Sequence, residues 1–135
     1  MRFLDTNILL GYFTRDDEAK AQKALALLQR IERDEERVET SLPVIFETVF
    51  TLQRRYKVPP SQIKTLLLPI LQMRGLRFPS KTLCIAALDI FVERNISYVD
   101  AFNAAFMQTK GITEVYSWDK DFDHIVGITR IEPAD

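Results

Sequence analysis

The sequence predicts an α/β fold, with a central parallel sheet of about four to five strands flanked by helices. Three observations predict it. Short apolar runs, most followed by a stretch of helical periodicity, recur along the chain. Capping and breaking residues (Ser41, Ser61, Ser97, Gly111, Gly127) fall at the joints. A length of 135 residues, 47% hydrophobic, suits one core, so a single domain is expected over 1–135, without repeat, linker or low-complexity tract.

The elements follow in order. Arg2-Phe3-Leu4 reads as a short strand ending at Asp5, and Thr6 to Phe13 as a short helix. Asp16 opens a long amphipathic helix to about Glu36, with Ala21, Ala24, Leu25, Leu28 and Ile31 on one face. Val38-Glu39-Thr40 is a second strand. Ser41 caps a helix to about Tyr56, with Pro43 in its first turn, where a missing N–H costs little. Ser61 caps a fourth helix that Pro69 is expected to kink or interrupt. Leu76-Arg77-Phe78 is a third strand. Helices follow from Ser80 or Lys81 to Arg94 and from Tyr98 to Lys110, the latter ended by Gly111. Val115 to Trp118 is a strand, a short helix starts near Lys120, and Ile128 to Ile131 closes the sheet.

Several chemistries are excluded. Four glycines, at 11, 75, 111 and 127, make neither a phosphate-binding loop nor a dinucleotide fingerprint. One His and one Cys cannot build a structural zinc site. His124 has no nucleophile elbow to serve and reads as a surface or helix-end residue, while Cys84 lies in an apolar run and reads as core. The lone cysteine excludes an intrachain disulfide and fits a reducing cytoplasm. The run Leu66-Leu67-Leu68-Pro69-Ile70-Leu71 is too short to cross a membrane, and Asp5 makes the N-terminus a poor signal peptide. A net charge of −1 argues against nucleic-acid binding, but its distribution argues for it. From Thr48 to Leu88 there are seven cations and no acid: Arg54, Arg55, Lys57, Lys64, Arg74, Arg77 and Lys81. Such a flank can steer phosphates, or can equally be a set of solvated helix faces.

Four carboxylates occupy positions from which an α/β sheet can bring side chains together. Asp5 and Asp119 stand at strand ends, where sites form in open parallel sheets. Asp100 falls in the first turn of a helix, and Glu47 lies six residues past Ser41. Each has an ordinary alternative: Asp5 and Asp119 as N-caps, Asp100 in a near capping box with Ser97, Glu47 as a solvated helical acid. Glu47 differs in having apolar neighbours, Val44 and Phe50, and no basic partner at helical spacing. Asp121 and Asp123 thicken the acidic run. Asp121 is a candidate metal ligand, and both favour the positive end of the short helix. Converging carboxylates call for a hard cation, the usual tool for phosphodiester hydrolysis.

Four segments, in order, resemble the motifs of PIN domains. They are Phe3-Leu4-Asp5-Thr6-Asn7-Ile8-Leu9-Leu10, Val44-Ile45-Phe46-Glu47-Thr48-Val49-Phe50, Tyr98-Val99-Asp100-Ala101-Phe102-Asn103-Ala104-Ala105, and Ser117-Trp118-Asp119-Lys120-Asp121-Phe122-Asp123. Their spacing covers residues 3 to about 131, and in size and style the chain is most similar to VapC-type toxins of toxin–antitoxin pairs. The resemblance implies a PIN-like three-layer sandwich and a Mg²⁺- or Mn²⁺-dependent endoribonuclease, commonly a homodimer silenced by a cognate antitoxin. It implies Asp5, Glu47, Asp100 and Asp119 as the catalytic acids. Asp5, Asp100 and Asp119 would hold one or two ions, and Glu47 would bind a second ion or orient water. Asn7 would support Asp5, and Ser117 would orient a metal-bound water. Arg54, Arg55, Lys57 and Lys64 would hold the RNA backbone. Trp118 is bulkier than the pattern and is expected to shape substrate entry. Two other readings use the same residues. One is an inactive PIN-fold module that binds RNA or protein. The other is an acid-pocket phosphohydrolase or phosphoacceptor with Asp5 as nucleophile, which its first class disfavours because position 7 is Asn rather than Asp.

Overall fold

The α/β class is observed. The computed structural model describes residues 1–134; Asp135, the last residue of the expected domain, lies outside the described residues. The chain divides into two compact units, Met1–Lys81 and Thr82–Asp135, each with its own parallel ladder.

In the first unit β1 (Arg2–Phe3), β2 (Val38–Glu39) and β3 (Leu76–Arg77) form a parallel sheet in that order, Arg2 opposite Val38 and Val38 opposite Leu76. Four helices belong to it: α1 (Thr6–Thr14), α2 (Glu18–Glu32), α3 (Leu42–Arg54) and α4 (Pro60–Leu71). Leu9, Leu28, Ile31, Ile45, Leu52, Ile63 and Leu67 are almost fully buried, which is what the helical spacing of apolar residues requires. The turn after α4 works because Gly75 has no side chain. A Cβ there would lie 2.2 Å from the Glu36 carbonyl oxygen and 2.7 Å from that of Ile31, and neither backbone can give way. The Gly75 N–H donates to the Ile31 carbonyl and its own carbonyl accepts from Val38, so this close approach fixes β2. The Lys81 ammonium donates to the Met73 and Leu76 carbonyls at 3.1 and 2.8 Å, so one of the seven cations of the basic stretch is spent on the backbone.

The second unit holds most of α5 (Lys81–Arg94), then α6 (Tyr98–Lys110), β4 (Glu114–Tyr116), a 3-10 helix (Lys120–His124) and β5 (Thr129–Ile131). β4 and β5 pair in parallel, Glu114 opposite Thr129. Phe91 meets Tyr98 edge-on at 5.5 Å, and the Tyr98 hydroxyl donates to the Cys84 carbonyl at 2.6 Å. Gly111 ends α6 in the left-handed region at φ 70°, which only glycine enters freely.

Most expected elements lie within one or two residues of their place, and the departures have local causes. The sheet is smaller than four to five strands, because among the described residues the five short strands form a ladder of three and a ladder of two. Asp17, not Asp16, caps α2, accepting from the Lys20 N–H at 3.1 Å; Asp16 accepts from the Tyr56 hydroxyl instead. That helix stops at Glu32, and Asp34 follows with φ 62°. Pro59, not Ser61, stands at the α4 N-cap, with Pro60 at the first helical position, where its fixed φ suits it. Pro69 does not interrupt α4, which ends only two residues later, at Leu71. β4 ends at Tyr116 because Ser117 folds back on the chain ahead.

Candidate metal centre

In the first unit, Leu4 is fixed at the end of β1. Its N–H donates to the Glu39 carbonyl at 2.8 Å, and its carbonyl accepts from the buried Thr40 hydroxyl at 2.8 Å. Asp5 follows as the N-cap of α1, but its carboxylate takes no capping hydrogen bond, so capping does not account for the acid. It is exposed. Thr6, only 4% exposed, turns its hydroxyl to Glu47 and donates to Oε2 at 3.2 Å. Glu47 lies on α3, where Val44 is buried and Phe50 is exposed beneath the Arg54 guanidinium, 5.3 Å from its ring. Arg55 lies similarly over Tyr56. Asn7 lines a groove of about 670 Å³ between α1 and α2, with Ile8, Gly11, Ala24, Leu27 and the cations Lys20, Lys23 and Arg30. Nothing in the sequence alone assigns Thr6 a role. Its signal was its position: a polar residue beside Asp5, at the start of a helix whose neighbours must be buried.

The second unit gathers three acids. Asp100, Asp119 and Asp121 each offer a carboxylate oxygen, and these oxygens lie within 4.8 Å of one another. Local chemistry puts them there. The Ser97 hydroxyl accepts from the Asp100 N–H at 3.1 Å and caps α6, which holds Asp100 in the first turn. The Ser117 hydroxyl accepts from the Asp119 N–H at 2.9 Å, and Asp119 Oδ1 accepts from the Asp121 N–H at 2.9 Å. Two successive side-chain turns therefore set the direction of the acidic loop. Arg130 braces it from β5, donating to the Ser117 carbonyl and to both Asp123 carboxylate oxygens.

Crowding splits the titration of the two closest acids. Burial pushes the Asp100 carboxyl up to about 6, and the hydrogen bond and negative charge of Asp119 push the same way. The Asp121 N–H and the hydrogen bond to Asp100 hold Asp119 below the usual carboxylate range. Of the two, Asp100 is therefore the acid that takes up a proton first as pH falls. Three hard oxygen donors within bridging distance fit a small divalent ion. A polar pocket of about 370 Å³ opens beside Asp121, lined also by Glu93, Arg94, Asn95 and His124. His124 is an exposed residue at the end of the 3-10 helix, and Cys84 is core, its thiol pushed up to about 11 by burial. Neither is a nucleophile in waiting.

Two comparisons bear on this arrangement. The PIN domain family matches residues 2–128. A protein from Aquifex aeolicus (strain VF5) called VapC ribonuclease is 23% identical over 133 residues, covering 98% of this chain and 97% of that protein.

Proposed function

Because the chain belongs to the PIN domain family, we propose that it is a divalent-metal-dependent endoribonuclease using Mg²⁺ or Mn²⁺. The observation that carries the reading is the convergence of Asp100, Asp119 and Asp121 within 4.8 Å. Asp100 and Asp119 would hold the ion, with Asp121 as a further ligand. When bound, such an ion acidifies water and offsets charge on the scissile phosphate. The chain's own residues do the rest. Ser97 caps the helix turn that carries Asp100, and Ser117 orients the loop that carries Asp119 and Asp121. A cation bound there would favour the ionised form of Asp100. Asp5 and Glu47 enter the catalytic set on their motif positions, supported by an Asp5 carboxylate with no capping bond and a Glu47 held by Thr6. Arg54, Arg55 and Lys57, exposed on the first unit, and the half-buried Lys64 would hold the RNA backbone without reading bases.

We take residues 1–135 as one nuclease domain, the toxin of a toxin–antitoxin pair, cytoplasmic, homodimeric and restrained by a cognate antitoxin. The relative named VapC ribonuclease supports the ribonuclease part of this reading. No described helix is long and apolar enough to cross a membrane. The test is cleavage of pooled RNA with Mn²⁺ or Mg²⁺ by the wild type, Asp5→Asn and Asp119→Asn. Cutting by the wild type that chelation abolishes and both substitutions suppress is the expected result; equal cutting by all three would refute the assignment.

A further inference from the structure

Trp118 is the chain's single tryptophan, and it is 72% exposed. Exposed apolar residues scattered over a surface need no explanation. This one differs in where it stands and how it is held. It lies between Ser117 and Asp119, inside the turn that aims one of the three converging carboxylates. That turn is pinned on both sides. The Ser117 N–H donates to the Ile131 carbonyl at 3.1 Å, the Ser117 carbonyl accepts from Arg130 at 3.2 Å, and Asp119 is tied to the Asp121 N–H. Tyr116, two residues earlier, is 76% exposed. The loop that carries the indole is braced, so it needs little ordering of its backbone on binding.

We propose that Trp118 is a stacking platform for an unpaired base next to the phosphodiester that the acidic cluster addresses. The inference rests on the nuclease reading and assigns the nucleotide flanking its site. An indole face accepts any base, because each has a π-face, so the contact positions the strand without reading its sequence. A base within a duplex is stacked on both sides and cannot use the platform. Asp119 and Asp121 repel a phosphate chain in the absence of a cation. A neutral, apolar contact beside them is therefore the kind that can hold the strand while the ion offsets the charge.

The single tryptophan makes the test direct, since all indole fluorescence reports position 118. The probes are a short oligoadenylate strand and a blunt RNA duplex of equal length, titrated with Ca²⁺ in place of Mg²⁺ and then assayed for cleavage with Mg²⁺. The expected result is quenching by the single strand and not by the duplex. Trp118→Ala should raise KM about 5- to 100-fold with kcat little changed, as loss of a stacked base predicts. Trp118→Phe should recover most of the loss. A wild type that cleaves while its fluorescence ignores the strand, with an unchanged KM in Trp118→Ala, overturns the platform and leaves the nuclease reading standing. An indole that responds to a bound protein and not to RNA overturns it as well. Quenching by the strand without cleavage supports the platform and counts against the nuclease reading instead.

Discussion

The two units answer the same electrostatic problem differently. In the first, Glu47 is exposed and satisfied by a neutral donor, the Thr6 hydroxyl, while the Asp5 carboxylate is left to solvent. In the second, three carboxylates crowd within 4.8 Å, the Asp121 N–H holds Asp119, and burial with crowding raises the Asp100 pKa. Neutral hydroxyls and water stabilise a lone carboxylate at little cost. They do not offset three negative charges together, which need a cation or protonation. On the proposed reading, an ion would gain most at Asp100, Asp119 and Asp121, where the negative charge is densest, and the roles proposed for Asp5 and Glu47 rest on their motif positions.

The largest effect should come from breaking the crowded side. Asp119→Asn removes a charged ligand while keeping an amide oxygen that can still accept from the Asp121 N–H, so the loop is retained and the metal-binding charge is lost. Cleavage should fall on the order of 10³-fold, as the loss of several kcal/mol of metal-based stabilisation implies. Single-turnover rates at saturating Mn²⁺ separate this from weakened metal binding. Next in size is the response of the folded protein to the ion. At a hundred times its dissociation constant a bound metal adds about 2.7 kcal/mol, roughly 10 °C in Tm for a domain of this size. Asp100→Asn should abolish most of that rise. Glu47→Gln should leave most of it, and an equal loss in both variants would mean that the metal demand is not concentrated in the second unit.

The pH dependence sharpens the contrast, and its sign is fixed by the direction of each shift. Asp100 has a folded-state pKa raised to about 6, so protonation favours the folded form. Its contribution is full below the unfolded value near 3.8 and is lost as pH rises through about 6. Asp119 runs oppositely, being held low, and contributes above its unfolded value until acid protonates it. Metal-free wild type should therefore lose Tm relative to Asp100→Asn as pH is raised from about 4 to about 7, while metal affinity rises over the same interval. Thermal melts of both proteins across that range, with and without Mn²⁺, measure both trends.

How much of this was legible in the sequence follows the same physics. Helices α5 and α6 were readable because local signals agree there: an apolar face, Ser97 as a cap and Gly111 as a stop. The cap of α2 was missed by one residue because Asp16 and Asp17 are chemically equal candidates, and only the distant Tyr56 hydroxyl separates them. The start of α4 was missed because two prolines outrank a serine in setting the backbone. Strand pairing was not legible, since strands of two or three residues carry too few side chains to specify partners. At the site, the acids were found because carboxylates at strand ends and helix starts are conspicuous. Thr6 was not, because a threonine in a helix's first turn has an ordinary local explanation, and its bond to Glu47 spans 41 positions.

The smallest effect tests the quieter half of the comparison. Thr6→Val keeps the shape of a nearly buried side chain and deletes the hydroxyl that meets Glu47. Glu47 is exposed, so water can replace the lost donor, and the cost should be about 0.5–1.5 kcal/mol, read as a lower denaturant midpoint at unchanged slope. The counterpart on the crowded side is Ser117→Ala, which frees the Asp119 N–H. It should cost a comparable amount of stability but also weaken metal binding about 10- to 100-fold, because the hydroxyl orients a ligand of the ion. The pair of variants isolates what a hydroxyl does beside a carboxylate: at Glu47 it satisfies a charge that solvent could satisfy as well, and at Asp119 it fixes a direction that solvent cannot.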